Sequence, residues 1–120
     1  MIGIDIIEIP RIAAVLERTP EFISKSFTQR EIAYFESKNM SPATIAGSWA
    51  AKEAFSKALR TGVRGFSLID VEVMRNYLGA PSIRYKGRRI YTQTAISHSK
   101  ENAVAVVAIP WWSRLYLKTK

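Results

Sequence analysis

Two carboxylates and a lysine, in separate parts of the sequence, have the residue types and spacing needed for chemistry on a phosphate. Asp5 lies among isoleucines in Gly3-Ile-Asp-Ile-Ile-Glu-Ile9, where an unpaired charge is costly to bury. Glu53 precedes Lys57 by four residues, so a helix brings both side chains to one face. Magnesium takes one or two protein carboxylates and completes its shell with water and phosphate oxygens. Asp5 and Glu53 are therefore candidate metal ligands, and Lys57 is a candidate phosphate contact.

Each of these residues also has an ordinary structural explanation. Asp5 would be satisfied by a salt bridge to a lysine or by capping a neighbouring backbone group. Glu53 and Lys57 would form a helix-surface ion pair worth about a few tenths of a kcal/mol. Lys52 adds a second cation on a neighbouring face of the same helix. The functional interpretation requires the strand and the helix to pack against each other.

His98, the only histidine of the sequence, lies between Ser97 and Ser99. A hydrolase triad is not indicated, because there is no Gly-x-Ser-x-Gly turn and no acid clearly placed to orient the ring. The histidine would be satisfied by local hydrogen bonds or, with its neighbouring serines, would bind phosphate. Neither a P-loop nor a Gly-x-Gly-x-x-Gly motif occurs, so neither common scheme of nucleotide binding is supported.

Hydrophobic periodicity predicts the elements that position these residues. A strand is predicted over 2–9 and is expected to be buried on both faces, because β-branched residues occupy both. Helices are predicted over 10–20, over 28–38 behind a capping box at Thr28, and from Ser41 to Leu59 or Arg60, closed by Gly62. The packed stripe of this last helix is predicted to contain Ala50, Ala51, Ala54, Phe55, Ala58 and Leu59.

The second half of the chain is predicted to be mainly β-structure. Strands are expected over 69–74 and 82–85, with a turn around Gly79 between them. A hairpin is expected from 94–97 and 103–109, with His98 in its loop. Residues 88–93 are predicted to form a short helix.

The 120-residue chain carries a net charge of +8, which is unevenly distributed. Residues 1–60 hold eight Lys/Arg and seven Asp/Glu, whereas residues 61–120 hold ten and three. Such an excess favours an anionic partner: a nucleic acid, a phosphorylated small molecule or an acidic protein. The basic run 84–91, with interleaved tyrosines, is compatible with a nucleic-acid surface, although a solvated face is the simpler explanation.

The composition also limits the class of protein. A hydrophobic fraction of 48% predicts a folded globule, and the length predicts one domain over 1–120. There is no cysteine, which excludes disulfides, thiolate zinc sites and cysteine nucleophiles. No apolar run approaches the roughly 18 residues of a membrane span, and the N-terminus does not resemble a secretory signal. These features favour the cytoplasm.

Three segments together resemble the holo-acyl-carrier-protein synthases, the small, single-domain class of 4′-phosphopantetheinyl transferases. They are Gly3-Ile-Asp-Ile-Ile-Glu-Ile-Pro-Arg11, Ala46-Gly-Ser-Trp-Ala-Ala-Lys-Glu-Ala-Phe-Ser-Lys57 and Ile96-Ser-His-Ser99. The resemblance covers about residues 2–109 and leaves out the tail, 110–120. It implies an α+β fold in which a curved antiparallel sheet packs on a long central helix. Family members of this length usually form trimers, with active sites between neighbouring subunits.

The resemblance also implies a reaction. The 4′-phosphopantetheine arm of coenzyme A would be transferred to a serine of an apo acyl carrier protein, with Mg²⁺ as the metal. The second product would be adenosine 3′,5′-bisphosphate. The carrier protein would belong either to fatty acid biosynthesis or to secondary metabolism. Nucleic acid is not an expected partner of such an enzyme.

The same resemblance assigns roles to individual residues. Asp5 and Glu53 would bind the metal and Lys57 the phosphates, so all three are the expected catalytic residues. Glu53 is also expected to accept the serine proton, directly or through a metal-bound water. Arg11 and Arg18 would face the acidic helix of the carrier protein. Further contacts to the coenzyme are expected from Ser48, Ser56, His98 and Ser99.

The sequence departs from the family pattern at several positions. Ser48-Trp49 stands where the family often has Arg-Phe, which removes one cation near the coenzyme. Arg60 stands where glycine is common, and Gly79-Ala-Pro81 replaces the usual Gly-Lys-Pro. The first alternative is therefore a catalytically weakened homologue that binds carrier protein or coenzyme A. The second alternative is a basic nucleic-acid-binding module.

Overall fold

A computed structural model describes residues 1–59 and 67–113, which form helices and antiparallel strands. The first half of the chain is one strand followed by four helices, and the second half is a series of strands. A short 3₁₀ helix, Leu68–Asp70, precedes the second strand. The elements are β1 Ile2–Glu8, α1 Ile9–Arg18, α2 Glu21–Ser26, α3 Gln29–Ser37, α4 Pro42–Ala58, β2 Val71–Arg75, β3 Pro81–Tyr85, β4 Arg88–Ile90, β5 Gln93–His98 and β6 Asn102–Ala108.

The strands divide into two antiparallel sheets of three strands each, in the orders β1-β6-β5 and β2-β3-β4. In the first sheet, Asp5 is in register with Ala105 of β6, which is in turn in register with Ile96 of β5. Both sheets contact helix α4. The predicted α+β class, with antiparallel strands on a long central helix, is confirmed.

Helix α4 is the centre of the core because its alanines let other elements approach closely. All six residues of the predicted stripe are buried. A Cβ atom at Gly3 would collide with the backbone of Ala54 and Ala58, so only glycine allows β1 to lie this close to the helix. This close approach fixes β1, and with it Asp5, against the C-terminal half of α4.

Local sequence signals explain where the other helices begin. Pro10 lies in the first turn of α1, where a missing N–H is tolerated. Thr28 caps α3 in a complete capping box, because its hydroxyl accepts from the Glu31 backbone N–H while the Glu31 carboxylate accepts from that of Thr28. Helix α2 was not predicted; it is only six residues long and has no side-chain cap.

Two predictions about the strands were wrong. Strand β1 is not buried on both faces: Ile2, Ile4 and Ile6 point away from α4 and are 68%, 59% and 66% exposed. Residues 88–90 form strand β4, paired with β3, instead of a helix, because backbone pairing overrides a weak helical pattern. Arg60 and Gly62, the predicted end of the central helix, lie outside the described residues. Within those residues, no helix is long and apolar enough to cross a membrane.

Candidate active site

Strand β1 and helix α4 bring Asp5 and Lys57 into contact. The Lys57 Nζ atom lies 3.0 Å from Asp5 Oδ1 and also donates to the Ile4 carbonyl oxygen at 3.2 Å. The Asp5 side chain is 15% exposed, whereas the Lys57 side chain is 55% exposed. The carboxylate is therefore held in place, while the ammonium group remains accessible from solvent.

Glu53 lies one helical turn before Lys57 and is partly buried. Burial raises the pKa of Glu53, the negative charge of Asp5 raises it further, and Lys57 opposes both effects. The two carboxylates are thus close enough to repel each other. A cation placed between them would remove that repulsion.

Both carboxylates open into one cleft of about 330 Å³, which we call the carboxylate cleft. Its apolar lining comes from strand β1 and from helices α1, α2 and α4. The sequence did not predict this lining, although Arg11 and Val15 are four residues apart in α1. This spacing places two side chains on the same face of a helix. The cleft is lined by Asp5, Ile6, Ile7, Arg11, Ile12, Val15, Phe22, Trp49 and Glu53.

The donor atoms of the cleft fit magnesium. Among the described residues, no group of three or more histidines, cysteines and acids could hold a metal by itself. Two carboxylates are nonetheless the number that Mg²⁺ usually takes from a protein, because phosphate and water oxygens complete its octahedron. Asp5 and Glu53 supply hard oxygen donors of this kind.

Lys52 does not face a phosphate site, and the expectation of a second free cation was wrong. Its side chain is fully buried, and its Nζ atom lies 2.8 Å from Glu31 Oε1. The same Nζ atom donates to the carbonyl oxygens of Ser26 and Leu68. With three acceptors, the ammonium group has no hydrogen left for a ligand. Lys52 therefore joins helix α4 to the chain before α3 and before β2.

The remaining coenzyme candidates are dispersed in this chain. His98, at the end of β5, is exposed and its Nδ1 atom lies 3.1 Å from the Ser99 carbonyl oxygen. By register and strand spacing, the Cα atoms of His98 and Asp5 are roughly 12 Å apart. Ser48 and Ser56 are buried within the chain, 1% and 2% exposed. The structure thus brings together Asp5, Glu53 and Lys57 but not these four residues.

The two predicted partner-binding arginines lie on the same exposed side of α1. Arg11 lines the carboxylate cleft, and Arg18 follows two turns later at the last residue of the helix. Both residues are exposed. A ligand entering the cleft from this side meets Arg11 first, with Arg18 about 10 Å further along the helix.

The sequence and the fold match one group of known proteins. The model of the 4′-phosphopantetheinyl transferase superfamily matches residues 1–109. The holo-acyl-carrier-protein synthase of Clostridium beijerinckii is 49% identical over 113 residues, covering 87% of this chain and 91% of that protein. The corresponding enzyme of Clostridium perfringens is 45% identical over 117 residues, with 87% and 88% covered.

Solved structures agree with these matches. The Helicobacter pylori holo-acyl-carrier-protein synthase, in complex with coenzyme A, has a TM-score of 0.82 at 32% identity, covering 92% of this chain and all of that chain. The Bacillus anthracis enzyme, in complex with coenzyme A (3′,5′-ADP), has a TM-score of 0.77 at 37% identity, with 88% and 91% covered. The chain therefore belongs to the 4′-phosphopantetheinyl transferase superfamily, among its holo-acyl-carrier-protein synthases. The predicted family and the predicted enzyme class are confirmed.

Proposed function

We propose that this protein transfers the 4′-phosphopantetheine arm of coenzyme A to a serine of an apo acyl carrier protein. The observation that carries the proposal is that Asp5 and Glu53 line one cleft while Lys57 pairs with Asp5, in a chain whose relatives are holo-acyl-carrier-protein synthases. Carboxylates and a cation at this position suit a reaction on a diphosphate. The cytoplasmic location stays a prediction.

In the proposed reaction the serine oxygen attacks the β-phosphorus of coenzyme A. A new phosphorus–oxygen bond forms to the serine, and the bond to the adenosine 3′,5′-bisphosphate breaks, so this nucleotide leaves as an anion. Negative charge develops on the non-bridging and leaving oxygens. Lys57, whose side chain is about half exposed beside Asp5, stabilises that charge where it forms.

Glu53 is assigned two roles in this proposal. With Asp5, it would hold a magnesium ion, which when bound supplies positive charge to the phosphate oxygens. Glu53 also accepts the proton of the attacking serine hydroxyl. Its partial burial, which raises its pKa, makes its carboxylate a better proton acceptor than a solvated one.

The walls of the carboxylate cleft suit the approach of an acidic carrier protein. Arg11 and Arg18 present two positive charges on one side of α1, and the chain carries a net charge of +8. Phe22 and Trp49 form an apolar wall with ring centroids 5.3 Å apart. Charges at the rim would guide the carrier protein, and the apolar wall would contact it after docking.

We further propose that copies of this chain assemble through the outer face of the first sheet, as trimers. Support comes from Ile2, Ile4 and Ile6, which are mostly exposed and adjoin the partly exposed Val104 and Val106 of β6. A contiguous apolar patch of this kind is unusual on a monomer. Ile6 also lines the carboxylate cleft, so the patch continues into the proposed active site.

Analytical ultracentrifugation tests the assembly. The wild-type chain should sediment as a trimer. Ile4→Lys should sediment as a monomer, because assembly would bury the lysine charge in the interface. Met40→Lys, which alters an exposed apolar residue outside this sheet, serves as the control and should remain trimeric. A monomeric wild-type chain would reject the assembly.

Intact-protein mass spectrometry tests the reaction. An apo acyl carrier protein is incubated with coenzyme A, Mg²⁺ and the wild-type chain, Glu53→Ala, or Glu36→Ala as a control at an exposed acid on α3. Wild type and Glu36→Ala should add one phosphopantetheine arm to the carrier protein, and Glu53→Ala should not. No mass gain with any of several carrier proteins would instead favour the catalytically weakened homologue.

A further inference from the structure

A group of exposed aromatic residues lies where the connection between β4 and β5 meets the residues that follow β6. Tyr91, Trp111 and Trp112 are 57%, 73% and 46% exposed. The ring centroids of Tyr91 and Trp112 are 5.5 Å apart, so the two segments meet through these rings. We call the three residues the aromatic patch. Large rings grouped in contact with water favour a partner that would cover them.

The backbone that carries the aromatic patch is held in place. Ser113 is buried, and its hydroxyl donates to the Tyr91 carbonyl oxygen at 3.4 Å. Its backbone N–H donates to the Pro110 carbonyl oxygen at 3.0 Å. Ile109 is also buried, and its backbone N–H donates to the Met1 carbonyl oxygen at 2.7 Å. The rings are therefore exposed on a fixed support, and rigid rings lose little conformational entropy when they bind a partner.

Two arginines adjoin the aromatic patch. Arg89 and Tyr91 are exposed and Ile90 between them is buried, so the alternation places Arg89 and Tyr91 on the same side of the chain. Arg89 of β4 is in register with Arg84 of β3. Like charges directly opposite each other in a sheet are destabilising, and neither arginine forms a salt bridge within the described part of the chain. An anionic partner would relieve this repulsion.

The acid that β2 contributes to this face of the second sheet is already engaged. Glu72 is in register with Arg84, but its carboxylate accepts from the Thr28 hydroxyl and lies 3.6 Å from Arg30. Only 8% of Glu72 is exposed. In the sequence, residues 114–120 add three cations and no acid. The charge beside the aromatic patch is therefore positive.

An apolar cleft of about 450 Å³ begins beside Trp111, because Pro110 is one of its lining residues. None of its described lining residues has a charged side chain. Tryptophan and tyrosine concentrate at the boundary between the apolar core of a membrane and water, and cations beside them bind lipid phosphates. A nucleic acid would use the cations and the rings but would leave the apolar cleft without a partner. A second copy of the chain, with its net charge of +8, offers no complementary charge.

We infer that the aromatic patch, together with Arg84 and Arg89, docks this protein on the surface of an anionic membrane. Trp111 enters the interface between headgroups and acyl chains, and the two arginines bind headgroup phosphates. This role goes beyond the proposed transfer reaction and does not depend on it, because the patch shares no residue with the carboxylate cleft.

Flotation of the full chain with lipid vesicles tests the docking. One set of vesicles contains phosphatidylcholine alone, and the other contains equal parts of phosphatidylcholine and phosphatidylglycerol. The wild-type chain should partition into the anionic vesicles about tenfold more strongly than into the neutral ones, and added salt should weaken this preference. Trp111→Ala should weaken partitioning into the anionic vesicles by about tenfold, because it removes the most exposed ring. Arg89→Gln should weaken it by about fivefold.

Two matched variants control these losses. Lys100→Gln removes a cation from the exposed loop between β5 and β6, at the opposite end of the first sheet from the aromatic patch, and should change partitioning by less than about twofold. Trp111→Phe keeps an aromatic ring and should retain most of the partitioning. Equal losses in Lys100→Gln and Arg89→Gln would reduce the effect to net charge and overturn the inference.

Other outcomes overturn the inference directly. They are a wild-type chain that does not prefer anionic vesicles, and a folded Trp111→Ala chain that partitions as wild type does. If Trp111→Ala does not fold, the comparison of Arg89→Gln with Lys100→Gln decides.

The two other occupants have their own measurements. Fluorescence anisotropy with a labelled single-stranded oligonucleotide would favour a nucleic acid if binding depends on Trp111 and Arg89 while vesicles are not bound. Analytical ultracentrifugation would favour a second copy if Trp111→Ala dissociates an assembly of the wild-type chain and vesicles are not bound. Either result would overturn docking on a membrane.

Discussion

Helix α4 carries two lysine–carboxylate pairs of the same chemistry in opposite environments. Lys52 pairs with Glu31 at 2.8 Å, and both side chains are fully buried. Lys57 pairs with Asp5 at 3.0 Å, but its side chain is 55% exposed. The two lysines are only five residues apart, and the N–O distances are nearly equal. Distance alone therefore does not distinguish them.

The difference lies in the remaining hydrogen bonds. The Lys52–Glu31 pair is saturated, because Lys52 also donates to two backbone carbonyls and Glu31 accepts from the N–H groups of Thr28 and Val73. Lys57 and Asp5 lie beside a third charge, Glu53, whose pKa is raised by burial and by Asp5. A saturated buried pair stabilises one conformation, whereas an unsaturated pair at a cleft can bind a ligand.

Removing Lys52 should give the largest effect and should act on stability. Lys52→Met leaves Glu31 as an uncompensated buried charge, so we expect the free energy of unfolding to fall by about 3–5 kcal/mol. Urea denaturation followed by circular dichroism measures this change. A variant with the wild-type midpoint and slope would show that the pair is not structural.

A second replacement sharpens this result. Glu31→Gln removes the charge and keeps one acceptor oxygen, for the N–H group of either Thr28 or Val73, so the double variant with Lys52→Met should be more stable than Lys52→Met alone. Lowering the pH should also reduce the stability loss of Lys52→Met, because protonation removes the charge of Glu31. Burial raises the pKa of Glu31, and Lys52 opposes this shift. Without Lys52, the pKa of Glu31 in the folded state lies further above its unfolded value. The difference in unfolding free energy between wild type and Lys52→Met should therefore narrow as the pH falls toward the unfolded pKa of Glu31.

Replacing Glu53 should act on the rate and not on stability. Glu53→Gln keeps the shape but removes a proposed metal ligand and proton acceptor, so we expect kcat to fall by about 10²–10³-fold. The melting temperature should not fall, because the substitution removes the repulsion between Glu53 and Asp5. Initial rates of carrier-protein modification, measured beside Glu36→Gln, check this expectation. A wild-type rate in Glu53→Gln would reject the metal and base assignments together.

Through the family resemblance, the sequence predicted that the sheet packs on the central helix. It did not predict which lysine of that helix is buried. The positions of Pro10, the Thr28 capping box and the alanines of α4 determine the helices through local signals, and these predictions were confirmed. The partner of Lys52, by contrast, lies 21 residues away on another helix. A contact of this kind depends on how helices pack, and periodicity carries no information about it.

The exposed face of β1 was missed for a related reason. A run of isoleucines predicts burial on both faces, but it does not show whether the residues that bury them belong to the same chain. Strands β6 and β5 extend the sheet at the edge of β1, and no helix of the described residues covers its outer face. Ile2, Ile4 and Ile6 therefore remain exposed. Similarly, Arg75 is an unremarkable strand residue in the sequence, and its unpaired Nε atom is evident only after folding.

Replacing Lys57 should give the smallest effect and is the most direct comparison with Lys52. Lys57→Met keeps the apolar stem and removes the charge, as Lys52→Met does. We expect the free energy of unfolding to fall by less than about 1 kcal/mol, because the pair with Asp5 is largely solvated. The rate should fall by about tenfold, and Lys57→Arg should restore part of it, because a guanidinium still binds phosphate. Denaturation and initial rates of both methionine variants test this together: equal losses of stability would make Lys57 a structural residue, and the contrast between the two pairs would disappear.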